Sequence, residues 1–154
     1  MGTVLRSTLI SSLLILLVAS CNTQPDMRRL PCVPARGELF IGGQAATGAE
    51  LLFQPQSMEL ERWNGVYPRA TVRDDGSFEI ETYLTPKGGP DGAPEGDYVV
   101  LVKWMTTPTV PAGERPRDDH APYDRLLGKY NNPATTKLRA KVVAPQTWLP
   151  RINL

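Results

Sequence analysis

Ala70-Thr71-Val72-Arg73-Asp74-Asp75-Gly76-Ser77-Phe78-Glu79-Ile80-Glu81-Thr82 is the stretch that decides the fold class. Ala70 and Val72 lead into a tight turn, where Gly76 supplies the positive φ that such turns need. Beyond it, Phe78, Ile80 and Thr82 share one face and Glu79 and Glu81 the other. Period-two patterning around an Asp-Gly turn marks two half-buried strands joined as a hairpin.

The same pattern extends outward in both directions. Leu39 and Ile41 alternate with Glu38 and Phe40, and Gly42-Gly43 closes that strand. Ala49, Leu51 and Phe53 share one face of the next, which Pro55 ends. Residues 56–68 are a polar insertion containing Trp63. On the C-terminal side, Thr85 to Gly96 is too rich in Pro and Gly for a helix or strand. Tyr98 to Val102 is apolar on both faces, as a central strand is, and Lys103-Trp104-Met105 extends it. Thr106 to Tyr123 is a second long loop, and Asp124 is expected to cap one helical turn reaching Tyr130. Leu138, Ala140 and Val142 make a further strand. Trp148 to Leu154 makes the last, with Ile152 and Leu154 facing in and Pro150 implying an edge or bulge. About seven short strands separated by turns predict an all-β, immunoglobulin-like sandwich.

The first residues carry a different message. Met1 to Arg6 holds one base and no acid, and Leu9 to Val18 is a nearly unbroken apolar run. A spanning helix needs about 20 mostly apolar residues. This run is shorter and has the layout of a cleaved export signal. It ends Val18-Ala19-Ser20-Cys21. That quartet resembles the bacterial lipobox: an aliphatic residue, two small residues, then the Cys that is lipidated. The resemblance implies that Cys21 becomes the mature N-terminus, carrying a diacylglycerol thioether and an acyl chain such as palmitate. Two or more chains hold a protein stably on a membrane. The implied location is the cell envelope. Asn22, in place of the Asp associated with inner-membrane retention, leans towards the outer membrane.

Removing residues 1–20 removes Arg6 from 17 basic residues, leaving 16 against 16 acidic ones. A neutral chain has no basic footprint for nucleic acid. Lipidation of Cys21 leaves Cys32 alone, so no disulfide framework is available. Asn22 to Arg36, with Pro25, Pro31 and Pro34, reads as a spacer reaching up to about 45–50 Å. The expected organisation is a signal peptide (1–20), a lipidated N-terminus and tether (21–36) and one domain (37–154).

Gly37-Glu38-Leu39-Phe40-Ile41-Gly42-Gly43, Asp74-Asp75-Gly76-Ser77-Phe78 and Pro94-Glu95-Gly96-Asp97-Tyr98 occur in this order. Together they resemble carboxypeptidase regulatory-like domains, whose fold is a transthyretin-like sandwich. Lys129-Tyr130-Asn131-Asn132-Pro133 is similar to a segment of small bacterial lipoproteins of this type. Tyr98 is expected to act as a tyrosine corner, its ring buried and its hydroxyl returned to nearby backbone. One transthyretin-like family hydrolyses 5-hydroxyisourate with several histidines, an arginine and a C-terminal tetrapeptide containing Tyr and Arg. This chain has one His and ends Arg151-Ile152-Asn153-Leu154, so the resemblance does not carry that activity over.

Other chemistry is thinly represented. The sole histidine, His120, lies in the loop Arg117-Asp118-Asp119-His120, and no Ser sits in a Gly-x-Ser-x-Gly elbow. Asp118, Asp119 and His120 read as a solvated loop and Asp74-Asp75 as turn chemistry, so no metal and no cofactor is expected. Trp63 is the aromatic placed to bind a sugar or partner, or else to pack its own insertion. Trp104 and Trp148 read as core or sheet-edge residues. Three functions follow in order: a non-catalytic binding or scaffold module for an envelope protein, a carbohydrate-binding module using Trp63, and an envelope hydrolase using His120.

Overall fold

The computed structural model describes residues 30–57, 66–83, 88–106 and 121–154. Within them lie nine strands: β1 (Ala35–Ile41), β2 (Gln44–Ala45), β3 (Glu50–Pro55), β4 (Arg69–Thr71), β5 (Ser77–Glu79), β6 (Gly96–Lys103), β7 (Arg139–Val142), β8 (Thr147–Trp148) and β9 (Ile152–Asn153). No helix occurs among the described residues. The count exceeds seven for two reasons. Gly42-Gly43 turns β2 back onto β1, and the C-terminal stretch divides around Pro150 into two short strands.

The strands form two sheets. One has the order β4-β3-β6-β7, antiparallel throughout. The other is built on β1, which pairs antiparallel with β5 and β2 and parallel with β8 and β9. Inward residues of both sheets form one core: Leu39, Phe78 and Ile80 from one, Leu51, Phe53, Tyr98, Val100 and Val102 from the other. Phe53 is fully buried at the seam, its ring 6.2 Å from both Phe78 and Tyr98. Ala49, Leu51 and Phe53 share the buried face expected from their spacing, as do Phe78, Ile80 and Thr82. Ile152 and Leu154, expected to face in, are only half-buried against the core, because β9 lies at the sheet edge.

The Asp-Gly hairpin does more than join neighbours in one sheet. β4 pairs with β3 while β5 pairs with β1, so the hairpin bridges the sheets. Its arms meet at both ends, where Arg69 and Glu81 exchange backbone hydrogen bonds of 2.8 Å and the Arg73 N–H donates to the Ser77 carbonyl at 2.8 Å. Gly76 has φ +84°, and a Cβ there would lie 2.7 Å from the Phe40 ring. Asp75 is spent on the turn, its Oδ1 accepting the Ser77 N–H at 2.9 Å.

Tyr98 behaves as a tyrosine corner. Its ring is fully buried and its hydroxyl donates to the Pro94 carbonyl at 2.6 Å. Burial pushes its phenol well above the usual range. Tyr98→Phe is expected to lower the unfolding free energy by about 1–2 kcal/mol in urea titrations, because the Pro94 carbonyl loses its buried donor.

Two expectations need correction. The domain begins before residue 37. Val33 and Ala93 exchange backbone hydrogen bonds of 2.8 and 3.1 Å, and Val33 and Ala35 are buried in the core. Pro34 suits this stretch because only its carbonyl is needed, accepting the Thr147 N–H at 2.9 Å. The segment after Asp124 is a series of turns rather than a helical turn. Leu127 takes φ +51° and Gly128 φ +74°, both left-handed, which stops helical propagation.

Asp124 still caps that segment. Its Oδ1 accepts the N–H groups of Trp104 and Leu126 at 3.0 Å each, and its Oδ2 accepts Gly128 N–H at 2.9 Å. Burial alone would raise its pKa, but these three N–H groups and the charge of Lys103 outweigh it and hold the carboxyl below its ordinary value. A depressed folded-state pKa stabilises above the unfolded value and is lost as pH falls through the folded one. Asp124→Asn is therefore expected to cost about 1 kcal/mol at neutral pH. It should also flatten the decline in stability that the parent chain shows below about pH 4, measured by urea titration at stepped pH.

Candidate functional site

Strand alternation sends Ala35, Gly37 and Leu39 into the core, so Arg36, Glu38 and Phe40 stand on the outer face of β1. Register then assembles their neighbours. Arg36 sits opposite Glu79 on β5 and Trp148 on β8, Glu38 opposite Ser77, and Phe40 opposite Asn153. The Arg36 guanidinium lies 3.4 Å from the centroid of the Trp148 ring, and Trp148 is 66% exposed. Beside this pair, Arg151 bonds Glu38 at 2.5 Å with its guanidinium 4.7 Å from the Phe40 ring centroid. The outer face of this sheet thus carries two arginine-aromatic pairs, Arg36 with Trp148 and Arg151 with Phe40, beside Glu38 and Glu79.

The charges are not all balanced. Glu79, although opposite Arg36 in register, pairs instead with Arg73 at 2.5 Å along its own hairpin. Among the described residues the Arg36 guanidinium therefore has the indole alone, and its Nε is sealed from solvent with no hydrogen-bond partner. Buried polar groups without partners are rare, and each calls for an explanation. Arg36 borders a cleft of about 280 Å³, walled by Pro34, Ala35, Ile80 and Pro90 and rimmed by Glu79 and Gln146.

A second groove of about 450 Å³ crosses the other sheet, beside Leu52, Thr71, Leu101 and Lys103. Its arginine, Arg69, is already paired with Glu81 at 3.0 Å, so the groove offers a ligand less than the Arg36 cleft does. Cys32 is a free, half-buried thiol whose pKa burial raises, the opposite of what a nucleophilic cysteine requires. Among the described residues no group of three or more His, Cys, Asp or Glu side chains is placed to hold a metal ion.

Cys21, Trp63 and His120, singled out from the sequence, all lie outside the described residues, as do residues 1–20. Trp104 is buried, its indole N–H donating to the Thr47 carbonyl at 3.0 Å. Trp148 is the sheet-edge aromatic. Sequence reading misses Arg36, because the prolines around it place it in the expected tether. Continuing the period-two pattern of Glu38 and Phe40 backwards through Gly37 would have placed Arg36 on the same face.

No protein-family model matches the chain, and no curated protein matches it. Among solved structures, it is similar to a 9R-lipoxygenase from Cyanothece PCC8801, at 15% sequence identity and a TM-score of 0.40. The similarity covers 80% of this chain and 16% of that one, so the chain spans about a sixth of the lipoxygenase's length.

Proposed function

We propose that the chain is a lipid-anchored, extracytoplasmic binding module that captures an envelope protein on the outer face of the β1 sheet. The observation that carries this reading is the exposed Arg36–Trp148 stack, set on rigid strands beside Arg151 and Phe40. Arginine and tryptophan are the residues most enriched where protein partners concentrate binding energy. A sugar is favoured less, because Arg36 already covers one face of the indole on which a sugar would stack. Capture is favoured over catalysis because these side chains supply contact and charge but no pairing of nucleophile with base.

Anchoring rests on the lipobox-like Val18-Ala19-Ser20-Cys21. With the fold engaged from Val33, the chain between Cys21 and Val33 spans at most about 40 Å, which holds the domain close to the bilayer. Asn22 favours the outer membrane. The finer fold reading, a transthyretin-like sandwich of the carboxypeptidase regulatory-like kind, is supported by the Tyr98 corner and the Asp-Gly hairpin.

The test places a photo-crosslinking side chain at Asn153, beside Phe40 on the candidate face, in the full chain expressed in a bacterial envelope. A second chain carries it at Lys141 in the other sheet. A discrete adduct at position 153 that falls at least about tenfold in Trp148→Ala is expected. Equal adducts at both positions, or none at 153, would overturn the reading.

A further inference from the structure

The capture reading leaves the chemistry of the captured group open, and Arg36 narrows it. A guanidinium carries five N–H donors in a planar fork. The Arg36 Nε has no hydrogen-bond partner among the described residues, its carboxylate neighbour Glu79 being held by Arg73. The cleft is lined by one guanidinium, Arg36, and one carboxylate, Glu79, and the carboxylate is already engaged by Arg73 from outside the cleft. The guanidinium carbon rests 3.4 Å from the Trp148 ring centroid, a contact that restricts the side chain before anything binds. The lining mixes apolar groups of Pro34, Ala35, Ile80 and Pro90 with the Gln146 amide and the Glu79 carboxylate.

We infer that the cleft beside Arg36 is a carboxylate subsite, in which a carboxylate carried by the partner polypeptide takes hydrogen bonds from the Arg36 guanidinium. This rests on the capture reading and names the group captured. The source of the carboxylate is a C-terminus or an Asp or Glu side chain, and both present the same planar pair of oxygens to the fork. A phosphate fits less well, because its second charge would face Glu79. The sealed Nε gains an acceptor only if the guanidinium shifts against the indole. Binding must therefore register at Trp148.

The test uses the full lipidated chain in detergent micelles, with tryptophan labelled by nitrogen-15. The Trp148 indole signal is assigned by its loss in Trp148→Phe. Four probes are titrated: acetyl-trialanine with a free carboxyl terminus, the same peptide amidated, an amidated peptide with one internal aspartate, and inorganic phosphate. The free-acid peptide, the aspartate peptide or both should move the Trp148 signal saturably, and which of them does so identifies the source. The amidated trialanine should not. Arg36→Gln should weaken binding at least about tenfold, and Arg36→Lys several-fold, since lysine keeps the charge but loses the fork. A response as strong to the amide or to phosphate, no response to either acid, or a response undiminished in both Arg36 variants overturns the subsite. A failed titration with the Asn153 adduct intact rejects the carboxylate alone. A carboxylate response without the adduct rejects capture of a protein on this face.

Discussion

Phe53→Ala is expected to lower the unfolding free energy by about 3–5 kcal/mol, a large share of what a domain of this size possesses. The ring is fully buried where the two sheets meet, and it touches Phe78 across the seam and Tyr98 along its own sheet. Truncation removes its transfer energy and leaves a cavity that the strands cannot close without losing register. The chain has no disulfide among its described residues, where Cys32 is a free thiol, so the core carries this load. Urea unfolding followed by tryptophan fluorescence should show a lower midpoint with an unchanged slope. Leu52→Ala, on the opposite face of the same strand and 37% exposed, should cost about 1 kcal/mol or less. Equal costs at the two positions would contradict a core built at this seam.

Gly92→Ala is expected to cost about 3–4 kcal/mol, combining a left-handed backbone with a steric clash. Gly92 has φ +89°, and a Cβ there would lie 2.0 Å from the Val33 carbonyl oxygen and 2.9 Å from the Pro34 Cα. Both neighbours are backbone and cannot rotate away. Gly92 is also tied on both sides, its N–H donating to the Ile80 carbonyl at 2.9 Å and its carbonyl accepting the Thr82 hydroxyl at 2.6 Å. Something must yield, and the Val33–Ala93 bridge is the connection the clash falls on directly. Amide exchange at Val33 and Ala93 should therefore accelerate more than exchange at Val100 in β6. Gly88→Ala is the control. It has φ +69° with nothing within 4 Å of its added Cβ, so only the backbone cost of about 1 kcal/mol remains. Gly92 also lines the Arg36 cleft, so its substitution should weaken carboxylate binding as well.

The all-β class was legible because period two survives wherever a strand buries one face. Ala49-Leu51-Phe53 and Phe78-Ile80-Thr82 show it without interruption, and both triplets are buried. Two kinds of information were not local. The hairpin around Gly76 reads as two neighbours in one sheet, yet β4 and β5 join different sheets, a choice set by tertiary packing. The start of the domain was hidden by Pro31, Cys32 and Pro34, which resemble a spacer when considered as composition. Proline is compatible with a sheet edge wherever its carbonyl alone is used, as Pro34 shows. That misplaced boundary concealed Arg36, and with it the candidate site. Trp148 could be assigned to an edge but not paired with Arg36, because the parallel register of β8 on β1 joins residues 112 positions apart. Trp63, the aromatic of a polar loop, lies outside the described residues, and the described candidate face is built from strand residues.

We propose that this sandwich works outside the cytoplasm, held by lipid at Cys21. The most direct measurement is the intact mass of the full chain, expressed in a bacterium and extracted from membranes with detergent. The expected product begins at Cys21 and carries a diacylglycerol and an acyl chain, and Cys21→Ser should abolish the lipid and release the chain from the membrane fraction. A chain that retains Met1 to Ser20, or one cleaved elsewhere and free of lipid, would contradict the account.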